Sequence, residues 1–236
     1  MADRPGRVYR CGVLTLSDKG SRGEREDTSG PLLQEMLQGA GFAVAAKVVA
    51  GDRTGALEAL RWTLLLGVPP VLVADALADA VRTLAGARFV FEEIGIADLP
   101  LYDQDDDAAF PAAGLRFKQQ VEVCDALLFV TPEYNRSVPG VLKNAIDIGT
   151  RPGGSNSFAG KRAAIIGTSP GAHGTVSAQQ HLRNVLSAVD LAVLPQPEIA
   201  IQYRDGQIDA DGNVSDERLR KRLQLFLDRF EAWLAA

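Results

Sequence analysis

The chain has 236 residues, 46% of them hydrophobic and 23% charged, with a net charge of −5. That composition excludes disordered and fibrous classes, and the acidic balance argues against a general nucleic-acid binder, which needs a basic face. The uncharged run over residues 62–74 has 13 residues, short of the roughly 20 that a membrane-spanning helix needs, so it reads as a buried element.

Short apolar strands alternate with amphipathic helices, which predicts an α/β layered fold with a mostly parallel sheet. Residues 8–16 (VYRCGVLTL) read as a buried strand and residues 17–30 as a polar loop. A helix follows, capped by Thr28 or Ser29, with Pro31 in its first turn and Leu32, Leu33, Met36 and Leu37 on one face. Residues 42–50 read as a strand and 54–65 as a helix. Residues 62–68 fit the end of a helix or a buried strand, and Pro69-Pro70 reads as non-helical. Beyond it the spacing predicts a helix over 75–84, a strand over 89–96 and an acidic loop over 99–114. A helix over 115–123, a strand over 126–130 and a helix over 140–148 come next. The remaining elements are a strand over 163–167, a helix over 178–187, edge pieces at 192–194 and 198–201, and a last helix. That helix is capped by Ser215 and turns Leu219, Leu223, Phe226, Leu227 and Phe230 to the core.

Two strand ends carry chemistry. In FVTPEYNRSVPGVLKNAID (129–147) a buried strand runs into a loop and then a helix. In an open parallel sheet ligands sit where strands deliver such loops. Pro132 stiffens the loop, Tyr134 offers a flat apolar face, and Asn135 offers donors and an acceptor, a set suited to a flat heteroaromatic ring. The plain alternative is an ordinary strand-to-helix turn. In IIGTSPGAHGT (165–175), Ser169, Gly171 and Gly174 allow close approach of backbone amides, but the spacing is neither a Walker loop nor a dinucleotide fingerprint. His173 has no acid near it in sequence and reads as a surface imidazole. The run 105–107 of aspartates reads as a solvated loop, and two histidines and two cysteines without paired spacing predict no metal site.

From about residue 74 to 236 the chain resembles the NADPH-dependent FMN reductase family, in its chromate- and quinone-reductase branch. The residues that carry the resemblance are LPLYDQD (99–105), TPEYNRSVPGVLKNAID (131–147), GTSPGAHGT (167–175) and QQHLR (179–183). The resemblance implies a flavodoxin-like doubly wound parallel sheet. It implies FMN as cofactor and hydride transfer from NAD(P)H through FMN to a small-molecule electron acceptor such as a quinone, a metal oxyanion or free flavin. Pro132, Glu133, Tyr134 and Asn135 would line the isoalloxazine ring. Ser169, Gly171 and Gly174 would meet its other edge, and Arg136 would lie by the nicotinamide nucleotide. The cofactor carries the hard chemistry, so no catalytic acid–base pair is expected. The family also implies a homo-oligomer, dimer or tetramer, paired through the helix after residue 138. The cysteine usage and the lack of a signal-peptide layout place it in the cytoplasm, with neither nucleic acid nor membrane as partner.

The family opens with a strand and a Gly-Ser-x-Arg-x-x-Ser-x-Asn phosphate loop. In that place this chain carries GVPPVLV (67–73), whose prolines remove N–H donors, so the phosphate site is expected to be missing. Residues 64–68 are the preferred first strand. The first 60 residues resemble instead the molybdopterin-binding family of molybdenum-cofactor biosynthesis, through GVLTLSDKGSRGEREDTSGPLLQEML (12–37) and VVAGDR (48–53). The Thr-Gly-Gly-Thr-Gly loop of that family is missing. The expected organisation is therefore an N-terminal β-α-β-α appendage over 1–60 and a reductase domain over 61–236. The alternatives are a molybdopterin adenylyltransferase-like protein and a non-catalytic product of gene fusion or frameshift.

Overall fold

The computed structural model describes the backbone of residues 9–14 and 70–73, and residues 74–209 and 212–236 in full. The expected elements between residues 15 and 69, including the strand at 64–68, lie outside the described residues. In chain order the elements are strand β1 (Tyr9–Leu14), helix α1 (Pro70–Ala85), β2 (Phe89–Ile94), α2 (Ala112–Glu122), β3 (Ala126–Thr131) and α3 (Gly140–Gly149). They are followed by β4 (Arg162–Ser169), α4 (Val176–Ala188), β5 (Ala192–Val193), β6 (Ile199–Gln202) and α5 (Glu217–Ala235).

Among the described residues every strand pair is parallel, in the order β2-β1-β3-β4-β5. β5 and β6 share one flank of β4: β5 pairs at Arg162 and Ala163, and β6 pairs from Ile166 to Ser169. Such a sheet is covered on both faces, because each parallel return needs a helical crossover. β3 shows this directly, since all of its residues are buried. Leu128 and Val130 of β3, with Ala164 and Ile166 of β4, pack against α1 and α5. Leu127, Phe129, Ala163 and Ile165 alternate to the opposite face and pack with residues of α2, α3 and α4. The helix stripe expected on α5 (Leu219, Leu223, Phe226, Leu227 and Phe230) is buried throughout. The fold is the flavodoxin-like doubly wound sheet.

Three local expectations are corrected. The first-strand place in the sheet, between β2 and β3, is taken by Tyr9–Leu14 and not by residues 64–68. Pro70 opens α1, where a proline without an N–H costs nothing because that amide has no intrahelical partner. The cap of α5 is Asp216 in place of Ser215: its carboxylate accepts from the amides of Arg218 and Leu219. The acidic loop after β2 also contains a short 3-10 helix (Gln104–Ala109), opened by Asp103.

Lys118 of α2 is the one lysine among the buried polar residues of the described chain. Its ammonium donates to the carbonyls of Gly149, at 3.2 Å, and Ser155, so it closes the C-terminal end of α3 and holds the loop beyond. Burial pulls its pKa below the usual lysine value of 10.5, partly offset by the nearby Glu122 charge. The folded chain therefore releases this proton at lower pH than the unfolded chain does. Stability from this group is complete above about pH 10.5 and is lost as pH falls through the lowered folded value. In urea unfolding across that alkaline window, the Lys118→Met variant is expected to show a shallower rise of stability with pH than the wild type.

Candidate functional site

All described strands run the same way, so Ile94, Thr131, Ser169 and Gln202 end at one edge of the sheet. Thr131 is level with Gly167, which brings the loop after β3 and the loop after β4 side by side. Strand order reverses direction between β1 and β3, and this switch point is where an open α/β sheet leaves a crevice.

The loop after β3 begins with buried Pro132, whose carbonyl accepts from the Thr131 hydroxyl at 2.8 Å. Tyr134 and Ser137 then exchange two backbone hydrogen bonds of 2.9 Å. Between them Asn135 and Arg136 have φ of 51° and 63°. Two successive positive φ values make a type I′ turn, which asparagine tolerates and arginine resists. Both residues are exposed. A non-glycine pair held in this conformation marks a loop shaped for something other than its own stability. Arg136→Gly is expected to raise stability by up to about 1 kcal/mol, read as a higher unfolding midpoint. A lower midpoint would mean that the turn is built otherwise.

Glu133 does not point into open space. Its Oε2 accepts from the amide of Ala178, the third residue of α4, at 2.9 Å. That amide has no partner within its own helix. Thr175, the residue before α4, gives its side chain no capping role. Its hydroxyl accepts from Gln179 Nε2 at 2.9 Å, and the same Nε2 donates to the Ile199 carbonyl at 2.8 Å. One turn further along α4, His181 Nδ1 shares a 3.0 Å hydrogen bond with Ser137 Oγ.

The loop after β4 is set by contacts beneath it. Buried Ser169 donates from its hydroxyl to the Gly174 carbonyl at 2.6 Å, and the Gly174 amide donates to Gly171 at 2.9 Å. Gly174 has φ +57° and lies so close to β6 that a Cβ would meet Ile201 backbone atoms at 2.8–2.9 Å. Gly171 is exposed and open. On the far side, Tyr203 donates its amide to the Ser169 carbonyl at 2.9 Å. Burial, and then the charge of Asp205, pushes the Tyr203 phenol pKa up, so it stays a neutral donor. The loop after β2 is pinned to α3 by Asn144, which donates to the Pro100 carbonyl at 2.8 Å and accepts from the Tyr102 amide at 2.9 Å.

The eight residues singled out from sequence thus gather at one sheet edge, with unlike surroundings. Pro132, Ser169 and Gly174 are buried, Glu133 and Tyr134 are half-buried, and Asn135, Arg136 and Gly171 are exposed. His173 is exposed too, as expected. Sequence reasoning missed Ser137, Gln179 and His181. The usable signal was helical spacing, since positions 178 and 181 share a face of α4.

A family model for NADPH-dependent FMN reductases matches residues 71–205. The chain belongs to the NADPH-dependent FMN reductase family. A second model, for a probable molybdopterin binding domain, matches residues 12–65. Relatives of the reductase part include a 2-hydroxy-1,4-benzoquinone reductase of a Burkholderia species. It is 51% identical over 158 residues, which are 67% of this chain and 86% of that protein. A quinone reductase of Pseudomonas putida is 42% identical over 158 residues, covering 66% of this chain and 84% of its own. Among solved structures, the flavoenzyme NAD(P)H:(acceptor) oxidoreductase FerB of Paracoccus denitrificans aligns with a TM-score of 0.71 and 35% identity. That alignment spans 96% of this chain and 97% of FerB.

Proposed function

We propose that this chain is an FMN-dependent NAD(P)H oxidoreductase that reduces a quinone or a similarly small acceptor. The observation that carries the reading is the meeting of the β3 and β4 loops beside the switch point, in a member of the FMN reductase family. The donor set fits the ring end of a flavin. A half-buried tyrosine, an exposed amide side chain and an open glycine suit a flat neutral heteroaromatic. Pro132, Glu133, Tyr134, Asn135, Arg136, Ser169, Gly171 and Gly174 form the cofactor site in this reading.

Bound FMN supplies the hydride and electron chemistry. Tyr134 offers its ring and Asn135 its amide to the flavin edge, while Gly171 leaves room for close approach. Arg136 projects a cation from an exposed turn, placed to draw the anionic nicotinamide nucleotide. Pro132, Ser169 and Gly174 act from below by fixing the loop backbones. No side chain is required as an acid or base.

The chain after β1 carries Ser17, Lys19, Ser21 and Arg22 in sequence, residue types that a flavin phosphate takes. In this reading residues 1–60 are of molybdopterin-binding origin and 61–236 form the reductase, with β1 of the first part completing the sheet of the second. The exposed Leu101, beside α3, suits pairing of two copies through that helix face, and the protein works in the cytoplasm. No helix among the described residues is long and apolar enough to cross a membrane.

The test is titration of the purified full chain with FMN and with riboflavin, followed by flavin fluorescence, and then NAD(P)H oxidation with a benzoquinone as acceptor. Quenching on uptake, tighter for FMN than for riboflavin, and flavin-dependent quinone reduction are the expected results. A chain that takes up neither flavin overturns the reading.

A further inference from the structure

The N-terminus of α4 has an unusual source for its cap. The local candidate, Thr175, is buried and spends its hydroxyl on Gln179. The capping oxygen comes from Glu133, 45 residues earlier, in the turn after β3. A second bond, between Ser137 and His181, ties the other end of that turn to the next turn of α4. Between the two ties lie Asn135 and Arg136, the adjacent positive-φ pair. The turn is closed by the two Tyr134–Ser137 backbone bonds, but arginine in the left-handed region works against them, so contacts from outside add to what holds the shape. The two bonds to α4 are placed to do so, one on each flank of the strained pair.

We propose that Glu133 and His181 are positioning residues that clamp the β3 turn to α4, so that the two strand-tip loops behave as one rigid jaw. This rests on the flavin reading of the site. Glu133 then acts on the cofactor through Tyr134 and Asn135, whose places it fixes, and its own carboxylate stays committed to the Ala178 amide. His181 acts the same way through Ser137. Pre-organisation of this kind shows as affinity and orientation, because the free protein already holds the bound geometry.

The experiment uses the full chain and the variants Glu133→Ala, Glu133→Gln and His181→Ala. Each is read by amide hydrogen exchange without flavin, by FMN titration and by thermal unfolding. Glutamine keeps an oxygen acceptor at the same reach and so rescues what alanine loses. In Glu133→Ala, exchange is expected to quicken at Ala178 and, together with it, at the Tyr134 and Ser137 amides that close the turn. FMN affinity is expected to fall roughly fivefold, the scale of one lost cap bond. Glu133→Gln restores both. His181→Ala quickens the turn amides from the opposite side.

A folded Glu133→Ala chain in which only Ala178 exchanges faster, with the turn amides unmoved, overturns the clamp. So does unchanged FMN affinity in that variant. If the wild type takes up no FMN, the flavin reading fails by itself. The exchange data on the flavin-free chain then decide the clamp: joint loosening of the two loops upholds it, and independent loosening removes it.

Discussion

A chain that begins at residue 61 is expected to be recovered unfolded or aggregated, although it retains every residue matched to the FMN reductase family. The reason is the place of β1. Tyr9–Leu14 pairs with β2 along six residues and with β3 along four. Removing it leaves facing rows of backbone amides and carbonyls on both neighbours. β3 is buried along its whole length, so water cannot satisfy its row without opening the core. An unsatisfied buried backbone group costs about 1–3 kcal/mol, and a domain has only about 5–15 kcal/mol of net stability. A few such groups are enough. Circular dichroism and urea unfolding of the truncated chain check this. A cooperative transition at the wild-type midpoint would show that β1 is dispensable.

The second large effect is expected from Gly167→Ala. A Cβ there would stand 2.3 Å from Thr175 Oγ1 and 2.5 Å from the carbonyl oxygen of Thr131. The hydroxyl belongs to a buried residue already bonded to Gln179, and the carbonyl belongs to the neighbouring strand. The carbonyl cannot yield without parting the ends of β3 and β4, and the threonine cannot yield without giving up its bond to Gln179 or shifting the start of α4. Overpacking a core costs about 1–3 kcal/mol even where flexible side chains give way, and here backbone must move. FMN uptake is expected to fail in the same variant, because the two loops that meet at this point are spread. Gly171→Ala is the control for stability, since its Cβ would meet only Ser169 Oγ, at an ordinary 3.5 Å. Thermal unfolding and FMN titration of the two variants, side by side, separate a general glycine effect from this close approach. Equal midpoints for both would refute it.

What the sequence made legible was the regular half. Short continuous apolar runs locate β3 and β4, a one-sided apolar stripe locates α5, and the loops that leave β3 and β4 stand out by residue type. Two apolar runs, residues 8–16 and 64–68, fit the first strand, and the usual short strand-to-helix connection favours the second, which is not the one that pairs. Residues 64–68 are near α1 in sequence, whereas β1 reaches α1 only after residues 15–69. Nothing in either run's composition tells which one pairs between β2 and β3; that is a tertiary choice. At Pro70 the sequence misleads, because proline is barred from a helix interior and yet suits a helix's first residue. The role of Glu133 was hidden for a different reason. A carboxylate in a loop at a sheet edge looks free to meet a ligand, and only three-dimensional packing reveals the amide it serves.

That carboxylate also gives the crevice a direction. The end of a helix that would otherwise attract negative charge is, in α4, already answered by the chain's own anion. A guest with one charged tail and one flat neutral head finds no welcome for the tail on the β4 side. In the flavin reading such a guest would lie with its head toward β4 and its tail toward the flank where β1 ends.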